Sequence, residues 1–161
     1  MFTALDFFSI DPFNWQAIGT AILCGTIVGL ERQLRGKPVG IRTSTLITLG
    51  TYIFIAASFS TNTQMTDPSR VIGQVITGIG FLGAGVILAK DGIVLGVTSA
   101  AAIWALSSIG VCISTGAYAT SIKLAVIVVL ILAGVDVLED SFAIFTRGVH
   151  KKFRAWRNLR D

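Results

Sequence analysis

Three carboxylates, Asp136, Glu139 and Asp140, crowd the end of the last apolar run of the chain. Oxygen donors of this kind suit hard cations, and magnesium demands near-octahedral geometry while keeping several of its waters. A cation site there, with magnesium as the ion considered, is one expectation; no other cofactor is expected. No ladder of acids continues through the apolar segments to make a conducting path. Thr98 and Ser99 carry hydroxyls, yet neither has an acid or a histidine base beside it, so nucleophilic catalysis lacks a partner. The one histidine, His150, lies in a basic tail, where a solvated role is the default. Gly78, Gly80 and Gly83 match the spacing of a dinucleotide fingerprint, but they follow no strand and lie inside an apolar run, which excludes that chemistry. No enzyme is expected.

The elements that must hold these residues follow from composition. Of 161 residues, 53% are apolar and 14% charged, with a mean hydropathy of +0.76. Soluble chains carry about 25% charged residues. Too few polar groups remain to cover a water-facing surface, and disorder needs the opposite balance. Cys24 and Cys112 lie in apolar runs and read as small buried hydrophobes, not as a disulfide. An integral membrane protein remains. Crossing the hydrocarbon takes about 20 apolar residues, and five segments come close: about 13–30, 41–59, 71–89, 93–113 and 117–137. Their short connectors make neighbours antiparallel, which predicts an all-α, five-helix transmembrane domain over residues 1–139. The start of the chain lacks the basic region of a signal peptide; Phe7, Phe8, Phe13 and Trp15 suit the membrane interface, with Pro12 at the first turn of a helix.

Charge sets orientation. Arg32, Arg35, Lys37, Arg42, Lys90 and six basic residues of the tail fall on one side, eleven in all, against Arg70 and Lys123 on the other. The positive-inside rule then predicts an outer N-terminus and a cytoplasmic C-terminus. It also accounts for the net charge of +4 without nucleic acid. Residues 140–161 place Phe142, Phe145, Val149, Phe153 and Trp156 on one helical stripe with cations around it. That pattern predicts an amphipathic basic helix lying on anionic lipids of the cytoplasmic leaflet.

Polar groups near a membrane core are usually paired or functional. Glu31, Arg32, Arg42, Asp91 and Asp136 gather on the cytoplasmic side, and a Glu31–Arg42 or an Arg32–Asp136 pair would tie distant helices together. On the outer side, Asp67 suits an N-cap with Pro68 at the first helical position. Arg70, Gln74, Gly78, Phe81 and Gly85 share one helical face, a polar stripe suited either to a ligand or to structural pairing. Bare backbone lets membrane helices pack closely. Ala21, Gly25 and Gly29 form such a ridge on the first helix. Gly78, Gly80, Gly83 and Gly85 suggest that the third helix is central.

These features have a familiar order. Gly25 to Arg32, then Arg42-Thr43, then Gly78-Ile-Gly80-Phe81-Leu-Gly83-Ala-Gly85, then Gly96-Val-Thr98-Ser99-Ala-Ala resemble the membrane domain of the MgtC/SapB family over about residues 25–139. Ala102 stands where some members carry cysteine, and longer members add a soluble domain after the fifth helix, so this chain resembles a short member. The resemblance implies a multi-pass bacterial inner-membrane protein, linked to magnesium limitation and, in pathogens, to survival in host cells. It implies regulation through helix contacts with another membrane protein and with further copies of itself. The alternative is a small oligomeric transporter or channel for magnesium or another cation.

Overall fold

The computed structural model describes residues 9–60, 67–90 and 93–141. Five helices make up nearly all of it: α1 (Trp15–Leu34), α2 (Ile41–Ser60), α3 (Pro68–Gly85), α4 (Val97–Ser114) and α5 (Tyr118–Ser141), with a short hairpin of β1 (Leu88–Lys90) and β2 (Ile93–Leu95) between α3 and α4. The fold is an all-α bundle. Two of the helices, α2 and α4, are long and apolar enough to cross a membrane.

Asn14, not Pro12, starts α1, because its side-chain oxygen accepts the Gln16 amide at 2.7 Å and so satisfies one orphan donor of the first turn. The Asn14 amide in turn donates to the Tyr52 hydroxyl at 2.9 Å, and the Phe13 and Tyr52 rings meet edge-on at 6.4 Å. The entry to α1 is thereby fastened to α2. At two further points these helices touch backbone to backbone. A Cβ on Gly25 would lie 2.5 Å from Thr45 Cα, and one on Gly29 would lie 2.5 Å from Ile41 Cα, so both positions need glycine for contact alone. Gly110 of α4 approaches α2 in the same way, with the Thr48 carbonyl 2.7 Å from a hypothetical Cβ. Beside it, the Thr51 and Ser107 hydroxyls share a hydrogen bond at 3.2 Å.

The core joins α1 (Ala21, Cys24, Val28) to α2 (Ile47), α4 (Leu106) and α5 (Ala125). The third helix does not occupy the centre that its glycines suggest. It packs on α4 and more thinly on α2, and Gly83, against Ala100, is its buried residue among those described. A Cβ placed on Gly73, Gly78, Gly80 or Gly85 would meet nothing within 4 Å. Glycine in a membrane helix reads alike whether the backbone it bares faces a neighbour or faces outward.

The hairpin is a second departure. The apolar runs predict helix up to Ala89 and again from Ile93, but α3 stops at Gly85 and α4 starts at Val97. Leu88, Ala89 and Lys90 pair with Leu95, Val94 and Ile93 in antiparallel register. Gly96 closes the motif at φ +86, with its α-carbon so near the Val86 carbonyl that a side chain would collide with that oxygen. Only glycine combines that backbone angle with that approach. The β-branched residues Ile87, Ile93 and Val94 favour extended backbone on either side of the turn.

Candidate functional site

The C-terminal end of α1 carries a buried charge cluster. The Glu31 and Arg32 side chains are 8% and 4% exposed. Glu31 Oε1 lies 2.8 Å from Arg35 Nε, one helical turn on, and Glu31 Oε2 lies 3.9 Å from Arg32 Nη1. Arg32 Nη2 donates to Ser99 Oγ at 2.9 Å across to the first turn of α4, while Arg32 Nε finds no hydrogen-bond partner among the described residues. Arg35 Nη2 reaches the Ala133 carbonyl of α5 at 3.5 Å. One acid and two guanidiniums therefore join α1 to α4 and α5. An arginine stays charged at any accessible pH, so its burial is tolerable only with partners of this kind. Ser99 Oγ accepts from Arg32 Nη2, and that bond ties the end of α1 to the first turn of α4.

This geometry corrects the pairing expected for Glu31. Its partner is Arg35, and Arg42 is exposed on the first turn of α2. The rotation of α2 that seats Ile41 against Gly29 turns the next side chain, Arg42, away from α1. Arg35 was the residue to find, since a carboxylate and a guanidinium four apart on a helix are neighbours by geometry. Nothing in the sequence marks the Thr51–Ser107 hydrogen bond, whose residues lie 56 apart.

Arg42 instead borders a cleft of about 690 Å³ between α2 and α3, which also takes in Thr43, Leu46, Phe54, Gln74 and Gly78. Two members of the expected polar stripe, Gln74 and Gly78, thus meet Arg42 and Thr43 along one groove; Arg70, Phe81 and Gly85 are exposed beside it. At the start of α3, Asp67 accepts from the Ser69 amide at 2.9 Å and from the Ser69 hydroxyl at 2.8 Å. Those bonds, the hydroxyl's above all, with help from the Arg70 charge, hold the Asp67 carboxyl below its ordinary range. Thr98 is exposed and, with Ala102, lines an apolar recess of about 200 Å³ between α4 and α5. Among the described residues no three His, Cys, Asp or Glu side chains come together. Asp91, the side chains of Asp136, Glu139 and Asp140, and all of the tail helix expected over 140–161 beyond Ser141, the last residue of α5, lie outside the described residues.

A five-helix bundle with membrane-crossing helices, glycine-mediated contacts and buried charge at its helix ends defines an integral membrane protein. The MgtC family profile matches residues 18–141, and the chain belongs to that family. It is similar to YhiD of Escherichia coli K12, described as a candidate magnesium transporter, with 43% identity over 127 residues, 74% of this chain and 59% of that protein. It is also similar to MgtC of Salmonella typhimurium LT2, with 37% identity over 108 residues, 67% of this chain and 46% of that one. An uncharacterised Haemophilus influenzae protein is 42% identical over 105 residues, 60% of this chain and 44% of that one. The chain thus spans about half the length of these curated relatives. No solved structure gives a significant match. Family and relatives identify a bacterial inner-membrane protein.

Proposed function

We propose that this chain is a regulatory protein of the inner membrane tied to magnesium limitation, acting through helix contacts with another membrane protein and with further copies of itself. The observation that carries this reading is the uncovered outer face of α3. Gly73, Thr77, Gly80 and Ala84 recur at steps of four, three and four, and all four are exposed. Small residues at that spacing admit a second helix to van der Waals contact, which drives association where lipid leaves no hydrophobic force. Five crossings, an outer N-terminus and a cytoplasmic, lipid-bound tail belong to the same proposal and rest on the eleven-to-two division of basic residues.

A photo-crosslinking residue at position 80, in native membranes starved of magnesium, is expected to capture a membrane protein, whereas one at buried Leu106 is not. The second reading, a magnesium transporter, is favoured by the description of the E. coli relative. Magnesium uptake by reconstituted vesicles above an empty-vesicle control would overturn the regulatory reading in its favour.

A further inference from the structure

We infer that the groove between α2 and α3 is a binding site for one anionic phospholipid, its phosphate on Arg42 and one acyl chain lying along the groove. The inference rests on the membrane reading above. Ile47 and Thr51 form the buried floor, and Leu46, Phe54 and Leu82 stand half exposed or more along the rims. The opening is therefore lateral, toward where lipid tails would be, and its surface is almost wholly hydrocarbon. From Arg42 to Phe54 the α2 side of the groove runs twelve residues, about 18 Å at the helical rise. One leaflet contributes half of a hydrocarbon core about 30 Å thick, roughly 15 Å. Groove and acyl chain match in length as well as in polarity.

The charge selects the lipid. Arg42 is exposed at the end of the groove with no carboxylate paired to it among the described residues. Thr43 stands next to it with a hydroxyl donor. A guanidinium forks onto phosphate oxygens, and a headgroup with net negative charge leaves a full complement for it where a zwitterionic one does not. Gly78 opens onto the groove: a Cβ there meets nothing within 4 Å, so a large side chain at that point would project into the space.

The full chain in mild detergent, titrated with phosphatidylglycerol and phosphatidylcholine and followed by native mass spectrometry, tests this. Wild type should retain one phosphatidylglycerol that Arg42→Gln releases about fivefold more readily, the factor expected for one basic group near an anionic surface. Gly78→Leu should abolish that retention by filling the groove, with an unchanged helical melt reporting intact folding. The basic residues between 147 and 160 are common to all three proteins, so the comparison between variants isolates the groove. Equal retention in all three, or equal preference for phosphatidylcholine, would overturn the proposal. Displacement by millimolar inorganic phosphate would assign the site to a free anion instead, and a lipid-free dimer lost on Gly78→Leu would assign the groove to a second copy. A chain that does not partition into membranes at all refutes the membrane reading; one that partitions but shows no variant-dependent retention refutes only the lipid site.

Discussion

Arg32 has the most to lose by substitution. Arg32→Ala leaves Glu31 buried with Arg35 alone and removes the bond to Ser99, a loss expected to cost about 3–5 kcal/mol in detergent unfolding. Arg42→Ala, at an exposed position, should cost a small fraction of that in the same lipid-free measurement. Ser99→Ala should fall between them, at about 1–3 kcal/mol, because a buried donor is left unmade. Asp67 gives a pH signature. Its carboxyl is held below the ordinary value near 3.9, so its contribution to the start of α3 is complete above that pH and disappears as pH falls through the lowered value. Protection of the Ser69 amide against hydrogen exchange should fall in that acid range, and Asp67→Ala should show the lowered protection above it, where the wild-type carboxylate is charged. The sequence made Glu31 and Arg32 legible as a paired cluster, because charge at a membrane helix end must be answered. The partner within the helix was legible too, four residues on at Arg35, whereas the rotation of α2 that turns Arg42 away is not encoded in composition.

At the scale of the helix, glycines divide into those that touch and those that do not. Gly25→Leu and Gly29→Leu force α1 away from the α2 backbone and should prevent a folded, monodisperse protein from being purified. Gly80→Leu points into open space and should leave the melt near that of wild type while weakening crosslinks to a partner. Gly96→Ala should destabilise by well over the ~1 kcal/mol of an ordinary glycine replacement, because the new methyl meets the Val86 carbonyl as well as an unfavourable φ. The helices themselves were readable from runs of apolar residues bounded by polar ones. The hairpin was not, because the β-branched and aliphatic residues around Asp91-Gly92 look the same as a helix end until pairing is known. The rank of α3 was hidden for the reason given by Gly73 and Gly80: bare backbone has no label for what lies opposite.

For the whole molecule, the central question is which way it sits. The proposed five crossings with the basic side inward predict that a reporter fused after Asp161 is active only as a cytoplasmic probe, and periplasmic activity would refute the orientation. Exchanging Arg32, Arg35, Lys37 and Arg42 together would confound folding with topology. Neutralising Lys37 alone, at an exposed connector position, should leave orientation intact because ten basic residues remain on that side. The bundle also has a tight part and a loose part. The helices α1, α2, α4 and α5 share the core, while α3 rests on its edge, so hydrogen exchange should be fastest in α3 among the helices.

The bond from Arg32 to Ser99 joins residues 67 apart in the chain, and that separation is also an interval of time. At synthesis rates of 5–20 residues per second, Arg32 emerges roughly 3–13 s before Ser99. Through that interval its guanidinium must reach the headgroup water by extending along its own stem, and only the arrival of α4 draws it into the protein. Chains arrested anywhere before residue 99 should therefore hold α1 at a shallower depth than finished ones and should be the preferred targets of membrane proteolysis. The completed protein would be marked as complete by the disappearance of one charge from the surface.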